Sequence, residues 1–329
     1  MGRQAQERAS RPKAPKGSHP PPRHQPYRHV ATLRRYKALI RHTPIGLNFV
    51  EVYFRRGTFE TPALPAVLGN EGAGVVEAVG PGVNDVSIGD RVVYADGPLG
   101  PYATVRIYPA DRLVRIPDGV SDAQAAASFL RGVTARMPLK EVVSLQRDDV
   151  VLFHAAAGRV GLIFSQWARS LGVRVIGAMS SEAKAAAARQ AGCFDVIDYM
   201  KDDFVARVCD LTGGEGVAAV FDSIGRDTFL KSLEVLRPRG VLVAFGQPSY
   251  SPPPFDPFLP PSKALHVTWP GRHIYTASRR QLETSAADLF DATRDGILEV
   301  GPGRTYAFDV SAHRDLESRK IIGAAVIEP

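Results

Sequence analysis

Between residues 149 and 246 the chain repeats one unit, an apolar run rich in Val, Ile and Phe followed by a helix-patterned segment. "DVVLFH" leads through a glycine turn to "VGLIFSQWARSLG", "VRVIG" to "SEAKAAAARQAG", "FDVIDY" to "DDFVARVCDLTGG", and "VAAVFDSIG" to "DTFLKSLEVLRPRG" before "VLVAFG" ends the series. Strands so uniformly apolar must be covered on both faces, and strand–helix alternation delivers successive strands in parallel. The repetition therefore predicts an α/β, doubly wound parallel sheet. Gly172 and Gly192 stand where helix C-caps belong.

The flanks follow a different rule. From Leu39 to about Ile116 short β-like runs such as "GAGVVEAVGPGV" and "GDRVVYADG" meet at glycine-rich corners, which predicts a compact antiparallel domain with no long helix. At Ser121 a cap residue precedes the helical spacing of "DAQAAASFLRGVTA", and Pro138 predicts a break where that helix would continue. After the proline-rich "SPPPFDPFLPPS", the chain returns to strands ("ALHVTWP", "AAVIEP") around one amphipathic helix, "SRRQLETSAADLFDATRDG". The expected domains are residues 36–124 with 265–329, and residues 125–264.

The first strand–helix turn reads Ala156-Ala157-Gly158-Arg159-Val160-Gly161, a variant of the dinucleotide fingerprint. A small residue makes the tight turn, Gly158 admits a diphosphate close to the backbone, and Gly161 lets helix and strand pack closely. The diphosphate would lie on the helix N-terminus, where free N–H groups and the dipole favour negative charge. At the end of the second strand, where NAD sites present an acid to the ribose, this chain has Met179. Ser180 and Ser181 can donate hydrogen bonds to a 2′-phosphate there, and Lys184 adds charge one turn on. NADPH is thus the expected cofactor; Lys184 as a solvated helix residue and Ser181 as a plain N-cap are the alternatives.

Charge is unevenly spread. Residues 1–41 hold eleven Lys or Arg against the single acid Glu7, so the +7 chain has a body of net charge −3. The basic, Pro- and Arg-rich leader, residues 1–35, cannot bury enough apolar surface to order itself and at most adds a weak nucleic-acid contact. No stretch approaches the roughly 18–20 apolar residues of a membrane helix. Two cysteines make neither a disulfide framework nor a thiolate zinc site, which points to a reducing cytoplasm.

Beyond these local readings, "GLNFVEVYFRRG", "LGNEGAGVVEAVGPGV", "GDRVVYA", "AAASFLRGVTA", "LFHAAAGRVGL", "VIDY", "VFDSIGRDTF" and "HRDLESRKIIG" occur in the order of one known family. Over about residues 36–329 the chain resembles the NADPH:quinone oxidoreductases (zeta-crystallin-like), the zinc-independent branch of the medium-chain dehydrogenase/reductase superfamily. The resemblance implies a GroES-like catalytic domain built from both chain ends, a Rossmann domain between them, a cofactor cleft at their junction, and a homodimer. It assigns Asn48 to positioning the carboxamide or the substrate carbonyl, and Tyr53 to donating a hydrogen bond to the acceptor oxygen. Tyr199 is placed near the adenine; Phe245, Gly246 and Gln247 near the nicotinamide; Arg319 near the cofactor.

Zinc-dependent members carry Cys where this chain has Gly46-Leu47-Asn48, and a His-Glu pair where it has Asn70-Glu71. Without thiolate or imidazole there, the resemblance implies no metal and an electron-poor acceptor, a quinone or similar conjugated carbonyl, that spreads the developing charge. Reduction of an enal or enone double bond uses the same hydride geometry and stands as the alternative. A non-catalytic paralogue with weak NADPH or RNA binding is a third possibility, because three departures mark the chain. The leader replaces β-structure that relatives carry ahead of "GLNF", leaving the catalytic sheet N-terminally incomplete. Pro44 and Pro138 fall within expected elements. Arg159 stands where relatives have Gly, its charge favouring phosphate and its bulk opposing close approach, with weakened binding the favoured outcome.

Overall fold

The computed structural model describes residues 33–61, 64–256, 263–318, 321 and 323–329. Almost all of the expected leader, and Arg319, lie outside them.

β1 (Lys37–Gly46) runs up the middle of the first sheet, followed by the short helix α1 (Val50–Arg55). β2 (Glu71–Val79), β3 (Arg91–Ala95), β4 (Val105–Pro109) and β5 (Val114–Arg115) complete its N-terminal part. β2 alternates buried and half-buried residues along much of its length, the pattern of a sheet with one covered face. α2 (Asp122–Met137) then leaves the sheet, started by a reciprocal capping box between Ser121 and Gln124. It stops at Pro138, which opens a single π-helical turn over Pro138–Val142. The proline expected to break the helix is where the regular hydrogen bonding ends.

The second sheet follows in strand–helix alternation as far as its fifth strand. β6 (Val150–His154), α3 (Arg159–Ser170), β7 (Arg174–Met179), α4 (Glu182–Gln190), β8 (Asp195–Asp198), α5 (Phe204–Leu211), β9 (Val217–Asp222), α6 (Phe229–Glu234), β10 (Leu236–Ala244) and β11 (His266–Thr268) appear in chain order. All strand pairs are parallel, in the order β11-β10-β9-β6-β7-β8. The order reverses at β6, so the crevice beyond that strand's C-terminal end is the place where open α/β sheets bind ligands. Phe153, Phe164 and Phe221 meet in the core at ring distances of 4.5 to 6.0 Å. Each such buried ring stabilises by about 1.5–3 kcal/mol.

After α7 (Arg272–Tyr275) and α8 (Arg279–Arg294), the chain returns to the first sheet with β12 (Pro302–Tyr306), α9 (Ser311–Glu317) and β13 (Ala324–Ile327). That sheet is ordered β12-β13-β1-β2-β3-β5, with β4 also on β1. Buried residues of both sheets, Ala73 and Val93 from one, Val151 and Phe153 from the other, join a single cluster with α2.

Two elements differ from the sequence reading. Residues 266–268 do not join the first sheet: β11 extends the parallel sheet beside β10. The helix expected across "DTFLKSLEVLRPRG" ends at Glu234, because Leu236 already pairs with Val217 and Pro238 cannot continue a helix. Pro238 is accommodated in β10 within a register break between Leu236 and Val241.

Candidate active site and cofactor cleft

The glycine turn lies where the strand order reverses. Gly158 is the N-cap of α3, with φ −74° and ψ 170°, and no side chain caps the helix. The first turn holds no acid, so nothing on the helix competes with an anion for its free N–H groups. A Cβ on Gly161 would stand 2.5 Å from the Ala156 carbonyl oxygen, so only glycine permits this approach of helix to strand. Ala156 and Ala157 are buried in the turn, while Arg159 and Val160 begin α3.

At the end of β7, Lys184 Nζ donates to Ser180 Oγ at 3.3 Å, which brings a cation and a hydroxyl together beyond Met179. Ser181 is the N-cap of α4, yet its side chain makes no cap hydrogen bond. Tyr199 follows β8, its N–H bonded to the Met179 carbonyl at 3.0 Å, so it flanks the same corner.

From the side of the first sheet, the Tyr53 hydroxyl oxygen accepts from the Gln247 N–H at 3.1 Å, joining α1 to the loop after β10. Phe49 and Phe59 hold the tyrosine ring edge-on at 5.4 and 5.1 Å. Burial raises its pKa, which keeps the hydroxyl proton available for donation at neutral pH. Phe245 packs on Phe153 at 5.8 Å, and Gly246 lies so close to Ser223 that an added Cβ would stand 2.7 Å from its carbonyl oxygen. Tyr53, Phe245, Gly246 and Gln247 are thereby brought together.

Asn48 is engaged differently. Its Nδ2 donates to Glu71 Oε2 at 2.8 Å and its Oδ1 accepts from Arg131 Nε at 3.2 Å. Glu71 Oε1 accepts from the Leu130 N–H at 2.5 Å, and Glu51 Oε2 from the Asn48 N–H at 2.7 Å. Glu51 and Glu71 are 0% exposed and Arg131 is 1% exposed. Desolvation drives the Glu51 carboxyl up to about 8 and raises that of Glu71, while burial lowers the Arg131 guanidinium. Arg131 Nη2 donates to the Leu47 carbonyl at 2.7 Å, and its Nη1 donates to Ala127 O.

Arg159 reaches into this layer from the glycine turn. Its Nη1 also donates to Leu47 O, so two guanidinium groups converge on one carbonyl. Its Nη2 is sealed from solvent with no partner, as is Glu51 Oε1. Burial, and next the Arg131 charge, push the Arg159 guanidinium down to about 9. Tyr102, bonded to His313 Nε2 at 3.0 Å, closes the layer and is raised by burial and the Glu51 charge. The sequence reading missed Glu51, Arg131 and Tyr102 as site residues. The available signal was a charge at an otherwise apolar position, in "LNFVEVY" and in the middle of "AAASFLRGVTA".

Two family models match the chain: the alcohol dehydrogenase GroES-like domain over residues 34–118, and the zinc-binding dehydrogenase domain over residues 160–291. The quinone oxidoreductase of Pseudomonas aeruginosa is 40% identical, the match covering 88% of this chain and 90% of that protein. The chain belongs to the quinone oxidoreductases of the medium-chain dehydrogenase/reductase superfamily. The Escherichia coli quinone oxidoreductase, solved in complex with NADPH, superposes with a TM-score of 0.87 at 38% identity, covering 91% of this chain and 94% of that one. A 2-haloacrylate reductase from a Burkholderia species is 40% identical, over 88% of this chain and 90% of that protein. The GroES-like and Rossmann architecture is that of this family. The second model's name speaks of zinc, but among the described residues no three His, Cys, Asp or Glu side chains group to hold a metal ion.

Proposed function

We propose that this quinone oxidoreductase transfers hydride from NADPH to quinones or similar conjugated carbonyls. The observation that carries the reading is the uncapped, acid-free N-terminus of α3 at the sheet's reversal point, with Lys184 and Ser180 paired at the next strand end. These groups fit a 2′-phosphorylated dinucleotide: the turn from Ala156 to Gly161 takes the diphosphate, Ser180, Ser181 and Lys184 take the 2′-phosphate, and Tyr199 borders the adenine. Phe245, Gly246 and Gln247 border the nicotinamide. The kinship with a protein solved with NADPH supports the same cofactor here.

When bound, NADPH supplies the hydride. The chain's own residues position the acceptor and manage its charge. The Tyr53 hydroxyl accepts from Gln247 N–H through oxygen and keeps its own proton for an acceptor oxygen. Asn48 acts through its neighbours: with both polar ends held by Glu71 and Arg131 it fixes the start of α1, which carries Tyr53, and its remaining amide hydrogen is the one it can offer a ligand. Phe49 and Phe59 pack edge-on against the Tyr53 ring and hold its hydroxyl in place.

A conjugated double bond next to a carbonyl or carboxyl group is a second acceptor, favoured by the kinship with the haloacrylate reductase. Mixing protein, NADPH and a simple quinone should consume the reduced-nicotinamide absorbance. Turnover of enones without quinones moves the chain to the second acceptor, and failure to bind NADPH moves it to a non-catalytic role.

We also assign residues 36–124 with 265–329 to the catalytic domain, except that 266–268 pair with the parallel sheet, and residues 125–264 to the cofactor domain. A homodimer is supported by β11, an outer strand of the parallel sheet, in which Val267 is exposed and after which Trp269 is exposed. The unbridged cysteines Cys193 and Cys209 are in keeping with the cytoplasm, and among the described residues no helix is long and apolar enough to cross a membrane. The nucleic-acid contact of the leader rests on composition alone.

A further inference from the structure

We propose that Arg159 is a mobile clamp for the dinucleotide's diphosphate, parked on the Leu47 carbonyl until the anion displaces it. The proposal rests on the NADPH reading above and adds to it the direction and the consequence of the Arg159 contact.

Three observations meet at this residue. First, α3 is a twelve-residue helix whose N-terminus lacks both a side-chain cap and an acid. Its free N–H groups attract an anion to the same turn that carries Arg159. Second, the guanidinium is under-used. Nη2 is buried with no partner, and Nη1 shares a neutral carbonyl that Arg131 Nη2 already occupies at 2.7 Å. A desolvated cation in that state is costly, and an oxyanion is the partner that relieves it. Third, the two nearby acids do not supply that partner. Both Glu71 oxygens are taken by Leu130 N–H and Asn48 Nδ2, and Glu51, held at about 8 by burial, is protonated at neutral pH. Neither acid therefore offers Arg159 Nη2 a hydrogen bond, and among the described residues the guanidinium's one polar contact is the shared Leu47 carbonyl.

A diphosphate seated on α3 exchanges the guanidinium's neutral acceptor for a doubly charged one, and charge-assisted bonds are about twice as strong as neutral ones. The exchange needs only side-chain rotation, since Arg159 has ordinary helical backbone, outside the positive-φ residues. Its Nη1 bond to Leu47 ties the cofactor domain to the catalytic domain across the cleft. Cofactor entry therefore breaks one tie between the domains as it makes its own.

The test is calorimetric titration of NADPH, and of adenosine 2′-monophosphate, which has the 2′-phosphate and no diphosphate. Wild type is compared with Arg159→Gly and Arg159→Gln, the second keeping a shorter, polar side chain without charge. Both variants should bind NADPH about 10- to 100-fold more weakly, the worth of a lost charged hydrogen bond, and bind adenosine 2′-monophosphate as wild type does. NADPH affinity unchanged or improved in the variants overturns the clamp and leaves the NADPH reading intact. An equal loss for both ligands also overturns it, as general damage to the site. Wild type that binds neither ligand refutes the NADPH reading itself, and the clamp with it.

Discussion

Replacing Glu51 by Gln should flatten the pH dependence of stability, and the size of the effect follows from its burial. The carboxyl is 0% exposed and is driven from 4.5 up to about 8. Between those values the folded chain holds a proton there that the unfolded chain has released. Stability therefore falls as pH rises through the window, the sign expected when the native state binds more protons. From pH 5 to pH 8 the loss is about 3 kcal/mol from this one group, at 1.36 kcal/mol per unit. That is a large share of the roughly 5–15 kcal/mol by which domains are stable. Glu51→Gln cannot titrate, and its neutral amide stands in for the protonated carboxyl. Denaturant unfolding of wild type and variant at pH 5, 6, 7 and 8 isolates the term as the difference between two slopes, with other titrating groups cancelling. Parallel curves for the two proteins would refute the argument, since they would mean that Glu51 is ionised in the native state.

Three further outcomes are expected. Arg131→Met leaves Glu71 buried without its cation and should cost about 3–5 kcal/mol in denaturant unfolding, much of it recovered in the Arg131→Met, Glu71→Gln double variant. Lys184→Ala should weaken NADPH binding about tenfold in fluorescence titration and leave NADH binding unchanged, because only the 2′-phosphate meets that ammonium. Tyr53→Phe should lower kcat on quinones about 100-fold while NADPH affinity changes little, in keeping with a proton donor to the acceptor oxygen; equal loss in kcat and cofactor affinity would make the tyrosine a packing residue.

The parts of the fold that repeat were readable from the sequence, since periodicity is a local property. The strand–helix alternation, the Ser121 cap and the stop at Pro138 each depend on neighbours within a few residues, and each appears as expected. Membership of β11 in the parallel sheet was not readable, because a three-residue strand after a proline-rich segment has no periodicity to show which sheet it joins. The end of α6 was misplaced for a similar reason: "LEVL" suits a helix, and only the pairing of Leu236 with Val217 makes it strand. In the site, the glycine turn and the Ser180–Lys184 corner followed from spacing. The layer of Glu51, Glu71, Arg131 and Arg159 did not, since its members come from four separate elements or loops and are coupled only by burial. Tertiary context also gives Asn48 its second duty, as a bridge between Glu71 and Arg131.

The position of β1 bears on how the molecule is made. It comes first among the strands of the described residues, yet it sits inside its sheet, with Ile45 opposite Ile327 and Gly46 opposite Val326. A ribosome releases β1 long before β13 exists, so during synthesis that flank of the strand stays unpaired while the intervening parallel domain, with its closer-range contacts, can assemble. The first sheet closes last, around a folded neighbour, and in the interval depends on chaperones or speed to keep an open strand from pairing with another chain.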